Sequence, residues 1–397
     1  MLEANPAITK PSMLRDLSLS AAVAGFVAVL VGFTSSVAIV FQAAQALGAT
    51  PSQTSSWMWA LGLGMGVTSL GLALWTRQPV LTAWSTPGAA LLAATQGLTM
   101  PEAVGAFVVC AALIVLFGVT RWFERVMDRI PLAIAAALLA GVLANFGLKA
   151  VAAVTSAPLL VLVMAGAYLA GKRFWPRYAV PGVLGAGIAV AAAQGTLHFG
   201  AVDWAWARPE WTTPAFSPRA LVGVALPLFL VTMASQNLPG VAAQRAAGYR
   251  TPVSASIAVT GLASLVLAPF GGYAFNLAAI TAAICMGREA HEDPRRRYMA
   301  AVMAGVFYIA VGLAGGAVVG LLVAFPKELV AAVAGLALLG TIAGGLATAL
   351  KDEKHRDAAI LTFLVTLSGI SMLGIGSAFW GVVAGTVSLL VQHSRSR

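Results

Sequence analysis

The chain has 397 residues, of which 59% are apolar and only 10% charged, and it carries a formal net charge of +10. Soluble domains carry about 25% charge, and a mean hydropathy of +0.88 leaves too few polar side chains to coat a water-facing surface. Disorder, collagen and coiled coil are excluded by the same composition, which leaves a polytopic membrane protein, and the apolar runs below make its expected fold class all-α.

A crossing helix needs about 20 apolar residues, fewer where it is broken midway. Cutting at charges, prolines and polar clusters predicts fourteen spans. Seven lie near 18–46, 54–75, 80–96, 102–120, 130–149, 156–171 and 180–198. Seven more lie near 219–240, 252–268, 273–287, 298–323, 328–350, 358–374 and 376–392. The first apolar run is too long for a cleaved signal peptide and leads straight into further spans. With both termini in the cytoplasm, twenty of the 24 Lys and Arg fall inside, and only Lys149, Arg208, Arg219 and Lys327 fall outside. That bias follows the positive-inside rule, and a miscount by one span would scramble it. The positive charge is thus a topology signal, and no nucleic-acid partner is expected. Cys110 and Cys285 sit deep in apolar runs and read as packed small hydrophobes, not a disulfide framework.

Two stretches echo each other. Residues 43–56 read AAQALGATPSQTSS and residues 242–256 read AAQRAAGYRTPVSAS, one at the end of span 1 and the other at the end of span 8. Ala83-Trp84-Ser85 in span 3 is matched by Ala274-Phe275-Asn276 in span 10. The order and spacing predict a seven-plus-seven duplication: residues 18–198, then a loop over 199–218, then residues 219–392, between tails at 1–17 and 393–397. An odd number of spans per half inverts the second copy in the membrane, an arrangement that places ligand sites near the midplane of secondary transporters.

Charged residues are nearly absent from the spans; no Asp, Glu, Lys or Arg occurs from Thr251 to Gly287 or from Ala358 to Gln392. Buried polarity gathers instead at Thr34-Ser35-Ser36, Thr82-Ala83-Trp84-Ser85-Thr86-Pro87-Gly88, Ser235-Gln236-Asn237-Leu238-Pro239-Gly240 and Tyr273-Ala274-Phe275-Asn276. Val80-Leu81-Thr82-Ala83-Trp84 favours extended chain, and Ser85-Thr86-Pro87 is an N-cap with proline in the first turn. The expected product is a short strand feeding a half-helix that starts inside the membrane. Span 10 repeats the plan, with Asn276 as the expected cap. Two such starts facing each other would aim free N–H groups at one point and form an anion site without lysine or arginine. The competing reading is ordinary helix kinks whose Ser and Thr satisfy backbone carbonyls. Gln236 and Asn237 need partners at that depth, either at the site or between helices, and Pro239-Gly240 is expected to open the helix.

The glycine series 62, 64, 66 and 312, 315, 316, 320 read as close helix packing. His198, His291, His355 and His393 fall at span ends or in loops, which argues against a histidine proton relay. No metal cluster, nucleophile motif or phosphate loop is found, so neither a cofactor nor an enzyme is expected.

Three stretches carry a family resemblance: Pro79-Val80-Leu81-Thr82-Ala83-Trp84-Ser85-Thr86-Pro87-Gly88-Ala89-Ala90, the run from Ala225 to Asn237, and Gly374-Ile375-Gly376-Ser377-Ala378-Phe379-Trp380-Gly381. Over nearly its full length the chain resembles the bacterial benzoate:proton symporters of the BenE type. The resemblance implies a fold like the uracil permease and sulfate-transporter group, with spans 1–4 and 8–11 as a core domain and spans 5–7 and 12–14 as a gate. It further implies a substrate between the strands of spans 3 and 10, elevator-like movement, and a homodimer as a common state. Nucleobase members of that group place carboxylates in spans 8 and 10, where this chain has Gln236, Asn237 and Asn276. That departure suits an anionic substrate and leaves the proton carrier open among Glu102, Glu289, the substrate itself and bound water.

The expectation is a multi-pass inner-membrane symporter importing benzoate or a related aromatic carboxylate with protons. Backbone N–H groups after Ser85 and around Asn276, helped by Ser36, Thr86, Ser235 and Gln236, would hold the carboxylate, with Asn237 a further site candidate and Phe33, Trp84, Phe229 or Phe275 against the ring. Carriage of a nucleobase or inorganic anion, and a passive anion channel, stand as alternatives.

Overall fold

The computed structural model describes residues 16–95, 97–197, 206–314, 325–372 and 375–395. Several of its helices begin at side-chain caps. Helix α1 (Leu19–Ala46) starts at Ser18, whose hydroxyl accepts the Ala21 N–H at 3.2 Å, and α2 (Pro51–Thr76) at a Thr50/Gln53 capping box. Strand β1 (Thr82–Ala83) and the short helix α3 (Thr86–Ala94) follow, then α4 (Met100–Val119), α5 (Leu132–Ala152), α6 (Pro158–Phe174) and α7 (Ala179–Ala193). The second half runs through α8 (Pro218–Ala246), α9 (Val253–Leu267), strand β2 (Asn276–Leu277) and the short helix α10 (Ile280–Met286). Helices α11 (Tyr298–Ala314), α12 (Lys327–Lys351), α13 (Arg356–Leu367) and α14 (Ser377–Arg395) complete it.

Each predicted span thus overlaps a helix, or a strand and half-helix. Among the described residues seven helices are long and apolar enough to cross a membrane. The predicted ends of span 11, beyond 314, and span 7, at 198, lie outside the described residues, as do the side chains of Thr34 and Ser35. Span 13 is shorter than predicted: Ser368 closes α13 onto Leu364, and the chain turns into a small hairpin with β3 (Ser371–Met372) paired to β4 (Ile375–Gly376).

Helices α1 and α8 end in the same way. Leu47, Gly48 and Ala49 donate to the carbonyls of Ala43, Gln45 and Ala44; Ala247, Gly248 and Tyr249 donate to those of Ala243, Arg245 and Gln244. The two glycines take the left-handed conformation this turn demands, with φ of 73° and 85°. Packing is paired too. Gly62 of α2 lies against Gly312 of α11, while Gly118 of α4 lies against Ala258 of α9 and Gly261 of α9 against Val115 of α4. The missing side chains let backbones approach where lipid gives no hydrophobic drive for helices to associate. Helix α5 packs against α12, α13 and the end of α8, while α13 packs against α14 and α6 against α7.

Helix α8 is not opened at Pro239-Gly240 as the sequence suggests. It carries two wide π turns, Leu221–Ala225 and Met233–Asn237. The Leu226 N–H bonds to Leu221 O and the Leu238 N–H to Met233 O, five residues back in each case. Pro227 and Pro239 follow these turns directly. A widened turn lets the helix continue past a residue that cannot donate and whose ring would strike the carbonyl behind it.

Candidate functional site

Segments three and ten are broken, and their strands meet. Strands β1 and β2 pair antiparallel, Thr82 opposite Leu277 and Ala83 opposite Asn276, and the Ala278 N–H donates to Leu81 O at 2.9 Å. Backbone hydrogen bonds that a continuous helix would supply are thus replaced across the break, as burial requires. Thr82 anchors β1: its hydroxyl lies 2.7 Å from that of Thr68, 2.9 Å from that of Ser69 and 3.0 Å from Met65 O. Asn237 anchors β2, its amide oxygen accepting the Leu277 N–H at 2.9 Å.

Behind β2, Gly271 turns the chain at φ 91° against the indole of Trp57, where a Cβ would collide with the ring. Trp57, Phe107 and Tyr273 form a cluster with centroids 5.6–5.7 Å apart that fixes this loop. Ala274 holds φ 42°, a conformation that costs a non-glycine residue about 1–2 kcal/mol.

From the strands, α3 and α10 run away from a common point. Ser85 caps α3, accepting from the Gly88 N–H at 3.2 Å and from the Thr232 hydroxyl at 2.9 Å. A cavity of about 310 Å³ lies where the two helices start, lined by Ala83, Trp84, Thr86 and Pro87 from one and Ala278, Ala279, Ile280 and Thr281 from the other. The first turns of both helices therefore border one space, and first-turn N–H groups have no partner within their own helix. Ser36, Met65, Gln236 and Tyr308 line the cavity as well, and α5 closes it with Phe146 and Lys149. Trp84 donates from its indole N–H to Ser36 Oγ at 3.1 Å and meets Phe33 edge-on at 4.8 Å, so the apolar wall is held in one orientation. No carboxylate lines the cavity among the described residues.

The predicted residues divide. Ser36, Trp84, Thr86 and Gln236 border the cavity, and Ser85 lies buried behind it as the cap. Phe33 supports Trp84 from behind. Asn237 is fully buried and serves β2. Asn276 is not the cap of α10: it belongs to β2, its amide nitrogen donates to Ala274 O at 3.1 Å, and Ala279 takes the N-cap position. The strand is longer than the sequence suggested, so the helix starts three residues later. Phe275 packs toward Gly64, Phe229 meets Phe117 edge-on at 4.8 Å, and neither borders the cavity; Ser235 is buried outside it.

The two candidate acids separate as well. Glu102 accepts from the Thr99 N–H at 3.0 Å and the Thr99 hydroxyl at 2.9 Å, which makes it the partner of the N-cap Thr99 in the capping box of α4. Glu289, just past α10, is buried and ion-paired with Lys172 of α6. Sequence reasoning missed Phe146, Lys149, Thr281 and Tyr308. Lys149 alone left a trace, as one of four cations on the sparsely charged side.

A family model described as benzoate membrane transport protein (BenE) matches residues 15–391. The chain is 53% identical over 369 residues to the inner membrane protein YdcO of Escherichia coli strain K12, covering 93% of this chain and 94% of that one. It is 42% identical over 381 residues to the benzoate membrane transport protein of Acinetobacter baylyi, covering 96% and 97%. Among solved structures, the transmembrane domain of the cyanobacterial bicarbonate transporter BicA aligns at a TM-score of 0.45 and 14% identity, over 94% of this chain and 98% of that one. SLC26A9 aligns at 0.48 and 10%, over 96% and 67%. With a match of that extent and two relatives of that similarity, the chain belongs to the benzoate membrane transport protein (BenE) family, whose members are membrane transporters and not enzymes.

Proposed function

We propose that this protein imports benzoate or a closely related aromatic carboxylate across the bacterial inner membrane together with protons. The observation that carries this reading is the cavity where the first turns of α3 and α10 meet, walled by Trp84 and Phe146 and, among the described residues, lined by no acid. A carboxylate would take hydrogen bonds from the amide groups there, with Thr86 and Gln236 beside them, and the ring would lie on the apolar wall. Small-molecule sites combine such walls with few polar anchors. Two or three bonds to a charged group, at about 1.5–3 kcal/mol each, offset the loss of hydration.

Labelled benzoate uptake into proteoliposomes, competed separately by benzoate, uracil and sulfate, tests the substrate. Competition by benzoate alone is expected. Equal competition by sulfate or uracil would move the assignment to an inorganic anion or a nucleobase. Failure to accumulate label uphill under a pH gradient would indicate a passive channel.

The seven-plus-seven inverted repeat is supported by the matching ends of α1 and α8 and by the pairing of α2 with α11 and of α4 with α9, which such a duplication would interchange. In the reading offered, α1–α4 and α8–α11 form a core carrying the cavity, and α5–α7 and α12–α14 form a gate. The termini lie in the cytoplasm, and the core travels like an elevator. A homodimer would give the gate a fixed base.

On this division the Lys172–Glu289 pair joins gate to core. Tyr168 of α6 lies beside it, with the Lys172 Nζ 5.6 Å from its ring centroid, and Arg288 and Arg297 share the surrounding cleft. A proton reaching Glu289 would cancel the charge that holds Lys172 and free the core to move, which favours Glu289 over the helix-capping Glu102 as the coupling acid. Glu289→Gln is expected to keep substrate exchange across the membrane while losing accumulation driven by a pH gradient. Normal pH-driven accumulation in that variant would return the proton to the substrate or to water.

A further inference from the structure

Among the described residues lining the cavity, Lys149 is the one charged side chain. It stands in the last turn of α5, one turn beyond Phe146 on the same face, with its Nζ 5.7 Å from the Phe146 ring centroid. It is exposed, whereas Ser36, Trp84 and Thr281 on the facing walls are buried, so it occupies the rim. The helix it belongs to is not one of those that start at the cavity. A cation there has two simpler explanations: it complements the carbonyl end of α5, or it marks a membrane boundary. Neither requires it to border the one cavity where two broken helices meet.

We infer that Lys149 is a specificity-determining residue, the cation that draws a carboxylate into the cavity and discriminates it from an uncharged solute of the same shape. The inference rests on the function proposed above. Amide groups at the two helix starts favour any acceptor, charged or neutral. Lys149 adds a term that only a negative charge feels, and at an exposed rim that term acts on capture and falls with ionic strength. Phe146 shields one side of the lysine stem and offers its ring to the solute that the ammonium attracts, so charge and aromatic surface are read together by one turn of α5.

Uptake kinetics in proteoliposomes test this with Lys149→Gln, Lys149→Arg and the parent chain, with benzamide as the neutral competitor. Lys149→Gln is expected to raise KM for benzoate about tenfold, the loss of one charged contact, with saturated uptake little changed. Its preference for benzoate over benzamide should shrink by a similar factor, and added salt should raise KM in the parent but barely in the variant. Lys149→Arg should restore the parent's KM and its salt dependence. A purely structural lysine would alter protein yield or melting without touching the benzoate-to-benzamide ratio. Unchanged KM and unchanged preference in Lys149→Gln, with benzoate uptake intact in the parent, overturn this inference alone. A parent chain that neither binds nor carries benzoate overturns the proposed function and this inference with it.

Discussion

Gly271→Ala is expected to disable the protein more completely than any substitution inside the cavity. The new methyl must enter the Trp57 indole, and the residue must keep a φ of 91° that suits glycine. Overpacking costs about 1–3 kcal/mol and the left-handed conformation about 1–2 kcal/mol more. A shift of that size is a large part of a typical stability margin of about 5–15 kcal/mol. Trp57 cannot yield, because Phe107 and Tyr273 press on it from the other faces. The loop before β2 should therefore displace, and the strand pair with it. Thermal unfolding of the detergent-purified variant reads the first effect, and benzoate binding the second. A variant that melts and binds like the parent would show that the loop has room to give, and the account of how β2 is held would fall.

The second large effect separates two neighbours. Gln236→Ala should weaken benzoate binding by about ten- to a hundredfold, the worth of one hydrogen bond to a charged group, and leave melting unchanged. Asn237→Ala should do the reverse in origin. It strands the buried Leu277 N–H, at a cost of about 1–3 kcal/mol, and loses binding only because β2 loosens. Melting curves and binding isotherms on both variants decide the matter. If Gln236→Ala binds normally, the cavity wall it forms is not in contact with the substrate. If Asn237→Ala retains full stability, its bond to Leu277 is replaceable.

Part of the cavity lining is legible in the sequence, for reasons that differ by residue. Ser85-Thr86-Pro87 is a local signal, since a cap and a first-turn proline act within one turn, and α3 starts there as expected. The long apolar helices were legible because crossing lipid demands about 20 apolar residues, whereas the end of α13 was not, since Ser368 closes it before the apolar run finishes. Asn276 misled because the sequence shows a polar residue before an apolar run but not the strand pairing that delays the helix. Gln236 and Asn237 look equivalent in sequence. The wide turn at Met233–Asn237 sends one to the cavity and the other to β2, and nothing in the composition of that segment foretells a π turn. Lys149 reads in sequence only as a charge on one side of a topology count, because its approach to the cavity depends on how α5 packs against α8, α12 and α13. Phe275 and Phe229 were plausible walls by position, yet ring-to-ring packing claims Phe229 and the space beside Gly64 claims Phe275.

The two wide turns of α8 each hold one residue more than a regular helix would. Shortening the chain by one residue between 221 and 239 would set Pro227 or Pro239 ring-first against a carbonyl four positions back. Lengthening it by one would turn the face bearing Gln236 away by roughly 100°. Apart from Thr232, Gln236, Asn237 and the two prolines, that stretch should accept changes of side chain far better than any change of length, and comparing substitutions with single-residue deletions and insertions would reveal the asymmetry.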